Sequence, residues 1–277
     1  MALDVMWTSA KDFGRWPELA AVHGERLRRA RRAAERYLAP SGLLGYGLMM
    51  FEDVVGAAYA AEVAAAARAV RPGDAKRPDS TVSARPNGDS ARAVAETVWE
   101  LIAPLWRGHR QAAAEKLRVS TYLQHLVNAP GDGDIQKVAH RDTFFPALKF
   151  WYFPEEVGIE DGAFCYARGS AGLTGDRMAW ECEQANLIAR GEIEPWHGVG
   201  HREGSFRVSG DELAELGFAL QPVEVAADTL VIANVFGFHA RGEPRARCSR
   251  VSIHGSIRID RPFEDGLPRV EPEDRLS

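Results

Sequence analysis

The sequence predicts a mainly β protein, a barrel or sandwich backed by a helical N-terminal layer, on three observations. From Leu117 onward, short apolar or alternating runs recur at 120–127, 136–142, 148–153, 163–167, 223–225, 229–235 and 251–259. Turn-forming clusters separate them, among them Pro130, Gly131, Asp132 and Gly133, then Glu160, Asp161 and Gly162, then Gly169 and Ser170, then Ala240, Arg241 and Gly242. Many short strands punctuated by Gly and Pro suit closed or two-layered antiparallel sheets. Before Leu117 the apolar spacing is instead helical.

The first helix is expected to open at Pro17 and to run through Leu19, Val22, Leu27 and Ala33 towards Leu38, where Pro40, Ser41 and Gly42 stop it. Its Arg26, Arg28, Arg29, Arg31, Arg32 and Arg36 alternate with Glu25 and Glu35, which marks a solvated face rather than a nucleic-acid stripe. A second, Ala-rich helix fits 54–70 and a third fits 91–116. Between them, 71–90 is rich in Pro, Gly, Ser, Asp and Asn without apolar period, so a mobile loop is expected, placed near a cavity mouth as a lid would be. Two helical insertions interrupt the β region. One follows Thr174 and covers 176–190; the other starts from the capping box of Ser209 and Glu212 and reaches Leu216. The expected organisation is one domain over 1–277: a mainly helical layer (1–116), a β core (117–262) and a C-terminal tail (263–277).

Composition narrows the function classes. A formal net charge of -5 on 277 residues argues against general nucleic-acid affinity, which needs an electropositive surface. The first 16 residues lack the basic and then apolar pattern of a secretory signal, and no apolar run is long enough to cross a bilayer, so a cytoplasmic protein with no membrane partner is expected. Cys165, Cys182 and Cys248 form no CxxC pair and are expected to be buried free thiols. Oligomeric state is left open.

The sharpest chemical feature is His140–Arg141–Asp142. Residues two apart on a strand share a face, so the imidazole and carboxylate can converge on one ion while Arg141 points away. Two histidines and one carboxylate around a metal leave open positions, the arrangement of non-haem iron(II) oxygenases. His239, at the end of an apolar run and before a Gly-containing turn, is the best third ligand, although a satisfied core histidine is the competing explanation. His197 and His201 are four apart, but Pro195, Gly198 and Gly200 make that segment a poor helix. His23 and His109 are expected on helix surfaces. The stretch Arg250 to Arg258 alternates polar and apolar residues without a break. By itself that is a half-buried strand with a wet face. Beside the HxD pair, its polar side can instead line a cavity, with Arg250 offering a guanidinium to a carboxylate and Ser252 a hydroxyl on the same face.

Over roughly 117–258 the sequence resembles the phytanoyl-CoA dioxygenase-like family of iron(II)/2-oxoglutarate oxygenases. The matching order is His140–Arg141–Asp142, the run Leu148 to Phe153, Glu160–Asp161–Gly162, Arg168–Gly169–Ser170, Ala226–Ala227–Asp228, then His239 with Arg250 eleven residues later. Ala171 and Ala163–Phe164 depart from the family pattern outside the triad, and put the substrate pocket rather than the metal in question. The resemblance implies a double-stranded β-helix, a cupin-like jelly roll, with N-terminal helices. It implies Fe(II) held by His140, Asp142 and His239. It also implies 2-oxoglutarate held by Arg250 and Ser252 with Gln124 and Trp151 nearby, and O2 as oxidant. The retained carboxylate at Asp142 points to hydroxylation or another oxidation rather than halogenation. Lys149 shares the face of Trp151 and is a candidate contact for an anionic group of a small-molecule substrate. The implied activity is oxidation of an unactivated C–H with release of succinate and CO2. Two other functions fit a similar barrel: a cupin-like metal enzyme that does not use 2-oxoglutarate, for which His254 would be a further ligand, and a non-catalytic small-molecule binding barrel.

Overall fold

The structure is a computed structural model that describes residues 46–70, 81–84, 117–131, 133–142, 147–193 and 205–259, with residue 43 and parts of 20–28 and 93–101. Eleven strands are described, β1 (Leu48–Phe51), β2 (Thr81–Ala84), β3 (Leu117–Asn128), β4 (His140–Arg141), β5 (Ala147–Phe153), β6 (Phe164–Tyr166), β7 (Phe206–Arg207), β8 (Gln221–Val223), β9 (Thr229–Asn234), β10 (His239–Arg241) and β11 (Cys248–Ile259). Three helices accompany them, α1 (Ala57–Arg68), α2 (Gly175–Ala189) and α3 (Gly210–Glu215). The strands form a six-stranded sheet, β1-β9-β5-β11-β3-β2, and a five-stranded sheet, β7-β4-β10-β6-β8. Every pairing is antiparallel. This is the double-stranded β-helix that the sequence led us to expect.

Strand alternation divides the core into two layers. Leu148, Phe150, Tyr152, Leu230, Ile232, Val251 and Ile253 face outward onto Val63, Ala64 and Ala67 of α1 and onto Val98. Phe153, Val231 and Ala233 face inward, where they meet Phe164, Tyr166 and Val223 of the smaller sheet. A strand covered on both sides reads as a continuous apolar run; β9 is buried at all six positions. On β11 the outward residues are apolar while Arg250, Ser252 and His254 take the inward alternate positions, so its polar side faces the interior rather than bulk water.

The helical layer is joined to the sheet by Asp228, in the turn before β9. Its positive φ of 60° is tolerated by Asp better than by most residues. Its carboxylate accepts N–H bonds from Val55 at 3.0 Å and Gly56 at 2.6 Å, just ahead of α1, and the Tyr152 hydroxyl at 2.8 Å. Asp228→Ala would orphan three donors and add backbone strain. A loss of about 3 kcal/mol is expected, measured as a lower denaturant midpoint with unchanged m-value; a wild-type midpoint would show the anchor to be dispensable.

Several expectations need correction. The N-terminal part is not simply a helical layer, because β1 and β2 complete the larger sheet at its two edges. Within 71–90, residues Thr81–Ala84 form an edge strand against Leu123 to Leu126 rather than a loop. Thr81 and Val82 are β-formers set inside a Pro- and Gly-rich stretch, and the surroundings hid them. The other residues of 71–90 lie outside those described. The 136–142 run is a 3-10 turn (Ile135–Lys137) followed by the two-residue β4. The insertions stand as expected: Thr174 caps α2, and Ser209 with Glu212 caps α3.

Candidate metal centre

His140 and His239 are directly opposed across β4 and β10, so both rings project from the same face of the smaller sheet. Their centroids are 4.4 Å apart. Asp142 follows β4 immediately and is anchored by its own N–H to Val235 O at 3.0 Å. Ser205 Oγ donates to Arg141 O at 2.8 Å, which pins the strand from its other neighbour.

Each imidazole is oriented from behind. His140 Nδ1 lies 2.8 Å from Val138 O, and His239 Nδ1 lies 2.9 Å from Gly237 O. A carbonyl only accepts, so Nδ1 carries the hydrogen in both rings, and it is Nε2 that is turned towards Asp142 as the atom able to ligate. His140 Nε2 is 3.6 Å from Asp142 Oδ1, and His239 Nε2 is 3.5 Å from Asp142 Oδ2. Gly237 leaves room for this arrangement, since a Cβ there would overlap the Tyr166 hydroxyl.

The three donor atoms lie within 4.8 Å of one another. Asp142 Oδ2 is buried and accepts no well-directed hydrogen bond, although Lys149 Nζ sits 2.5 Å away as an ion-pair partner. Burial, then the neighbouring His239 and Arg207, hold the His140 pKa well below its usual value. Burial opposes the Asp142 charge, but Lys149, His239 and His140 outweigh it and keep the carboxyl well below the usual carboxylate range. Neutral imidazole and ionised carboxylate are the protonation states a metal requires. Two imidazoles and one carboxylate on one side of a common point fit a first-row divalent ion with open positions.

An aromatic wall continues from this group. Phe164 is 5.9 Å from the His239 ring, Trp151 is 4.6 Å from Phe164, and His254 stacks on Trp151 at 5.1 Å, all between ring centroids. His254 therefore belongs to the wall and not to the donor cluster. Gln124 and Ser252 are cross-strand partners, with Ser252 Oγ 3.4 Å from Gln124 Oε1. Arg250 shares their face. Its Nη1 donates to Gly162 O at 2.5 Å, and among the described residues no carboxylate lies within ion-pair distance. Burial, and then the cation of Arg241 nearby, push its pKa down to about 10. Gly162 has φ 68°, and a Cβ there would run into Asn128 and the Gly242 carbonyl, so the acceptor facing Arg250 is fixed in place.

Some residues near the site were not foreseen. Arg207 lies opposite His140 across β4 and β7, with a pKa pushed down to about 10, chiefly by burial. Its two-residue strand carried no periodicity to flag it. His23 is not on a helix surface. It is buried, with Nε2 3.2 Å from Glu181, so the expectation fails because a buried carboxylate on a distant insertion satisfies it. The cysteines are free but half-buried rather than fully buried. His109, His197 and His201 lie outside the described residues. No described helix is long and apolar enough to cross a membrane.

No protein-family model matches the chain, nor does any curated protein. Among solved structures, the epimerase SnoN in complex with Fe3+, alpha ketoglutarate and nogalamycin RO is similar at 18% identity, over 85% of this chain and 84% of that one, with a TM-score of 0.51. AviO1 from Streptomyces viridochromogenes Tue57 is 14% identical over 87% of this chain and 98% of its own, with a TM-score of 0.47. HygX from Streptomyces hygroscopicus with nickel, 2-oxoglutarate and hygromycin B bound is 16% identical over 78% of this chain and 84% of its own, at 0.44. The likeness to SnoN carries the fold alone, and within that fold this chain holds a His–Asp–His group.

Proposed function

We propose that the protein is an Fe(II)/2-oxoglutarate-dependent dioxygenase of the phytanoyl-CoA dioxygenase-like kind, acting on an unactivated C–H of a small molecule. The observation that carries this is a pairing on one interior surface. A two-histidine, one-carboxylate donor group faces the same interior as Arg250, a half-buried cation whose hydrogen bond goes to a backbone carbonyl. A bidentate diacid with one end at the metal and the other at a guanidinium suits both.

In this reading His140, Asp142 and His239 hold the iron. Arg250, with Ser252 and Gln124, takes the distal carboxylate of 2-oxoglutarate, and Trp151 walls that side. Bound iron with 2-oxoglutarate and O2 supplies the oxidising chemistry, which the protein cannot supply from its own side chains. The protein's work is placement and exclusion of water. Lys149, at the Asp142 carboxylate, neutralises its charge and offers an ammonium to an anionic or polar group of the substrate. We further read the chain as one domain, because β1 and β2 complete the same sheet as the strands of the C-terminal half.

The test is succinate formation from 2-oxoglutarate by the Fe(II)-loaded protein in air. A slow release without substrate, abolished by omitting iron, is expected. Iron-loaded protein that neither binds 2-oxoglutarate nor releases succinate would leave a metal barrel of another kind.

A further inference from the structure

Behind the metal group, on the opposite face of the smaller sheet, lies a fully buried cluster of charge. Glu181 of α2 accepts from Arg141 Nε at 2.6 Å, with Arg141 Nη2 closing the fork on the other oxygen. Arg177, one helical turn earlier, donates to Glu181 Oε1 at 2.9 Å, and His23 reaches Oε2 at 3.2 Å. Arg141, Arg177 and Glu181 are all without solvent exposure. Arg141 also lies over the Phe206 ring at 4.1 Å.

The bonds of this cluster end beside all three metal-ligand positions. Arg141 stands between His140 and Asp142, so fixing its side chain on one face fixes both neighbours on the other. Arg177 lies 3.7 Å over the ring of Phe238, the residue before His239. It donates to Phe236 O at 3.1 Å and to Ser170 O at 2.7 Å, and the Ser170 hydroxyl accepts the Phe238 N–H at 2.8 Å. Glu181 thus ties the segment of the first two donors to the turn that leads into the third. Buried ion clusters gain little stability over apolar packing of equal volume, while a guanidinium–carboxylate fork is strongly directional. Orientation is the property such a cluster adds.

We infer that Arg141, Glu181 and Arg177 are positioning residues for the metal centre, setting the bearing of His140, Asp142 and His239 from behind the sheet. This rests on the reading of those three as metal ligands. The cluster also explains why an Arg occupies the middle of the HxD tripeptide: its partner is a helix, not the ion.

The test is a Co(II) titration of the metal-free protein, followed by the visible d–d absorption, with no turnover involved. Arg141→Lys keeps the buried charge but loses the fork, and Glu181→Gln keeps the shape but loses the charge. Val63→Ala, on the far side of the larger sheet, serves as a control for lowered stability. Arg141→Lys and Glu181→Gln are expected to weaken Co(II) binding by about 10- to 100-fold, the usual effect of losing an outer-shell partner. Their d–d bands should also change, whereas Val63→Ala keeps wild-type affinity and spectrum at a comparable Tm. Should Glu181→Gln not fold, Arg141→Lys decides. Wild-type affinity and spectrum in the folded variants, or an equal loss in Val63→Ala, overturns the inference. A wild-type protein that binds no Co(II) would instead overturn the metal reading beneath it.

Discussion

His239→Ala is expected to emerge from anaerobic Fe(II) reconstitution and desalting without stoichiometric iron, and to release no succinate. His140→Ala and Asp142→Ala are expected to behave alike. Four-ligand zinc sites gain about 10–16 kcal/mol from the metal, so one ligand is worth about 3 kcal/mol, or about 100-fold in affinity. A centre with only three protein ligands has nothing to spare. Removing Asp142 has a further consequence, because the Lys149 ammonium 2.5 Å from its carboxylate then faces the ion without an intervening negative charge. That variant is expected to bind iron most weakly of the three. Thermal shift reads the same loss: a ligand that binds only the folded state raises Tm, and the increment on adding Fe(II) should vanish in each variant. Full iron occupancy in His239→Ala would mean that the third donor comes from elsewhere.

The donor group was legible in the sequence because strand geometry is periodic. His140 and Asp142 share a face wherever that segment is extended, and turn residues bracket His239. The polar side of β11 was legible for the same reason: Arg250, Ser252 and His254 alternate with Val251 and Ile253, which pack on α1. What the sequence concealed has one physical character. It depends on pairing across long chain separations that leave no local period. Thr81–Ala84 looks like loop because its neighbours are Pro, Gly and Asp, yet β3 offers an unpaired edge and the strand forms there. His23 looks like a solvent-facing helical residue until Glu181, 158 positions away, supplies its partner. Asp228 looks like a turn residue, and is one, but its carboxylate also joins the start of α1 to Tyr152. Arg141 was correctly expected to point away from the metal face, while what it points at belongs to α2 and has no signature in the tripeptide.

Arg250→Ala is expected to retain iron and to lose 2-oxoglutarate. Truncating one partner of a buried, hydrogen-bonded charge pair costs about 2–5 kcal/mol, which corresponds to roughly 30-fold to several thousandfold in affinity. Arg250→Lys keeps a cation but replaces a planar fork with a point charge, so an intermediate loss, about tenfold, is expected. Stability should move the other way from binding. In the free protein the guanidinium is half-buried and partly desolvated, crowded by the Arg241 cation, and bonded to the Gly162 carbonyl without an ion-paired carboxylate among the described residues. Such a group contributes little to folding and works against it through lost hydration. The Tm of metal-free Arg250→Ala should therefore equal or exceed that of wild type. The pattern sought is a stability gain or no change, unchanged iron stoichiometry and a collapsed co-substrate affinity. It is measured by titrating 2-oxoglutarate into the anaerobic Fe(II) protein and following the metal-to-ligand absorption band. A structural arginine would give the reverse, a lower Tm with co-substrate binding intact. If Arg250→Ala binds 2-oxoglutarate as tightly as wild type, the distal carboxylate is held by another cation, and Lys149 becomes the residue to replace next.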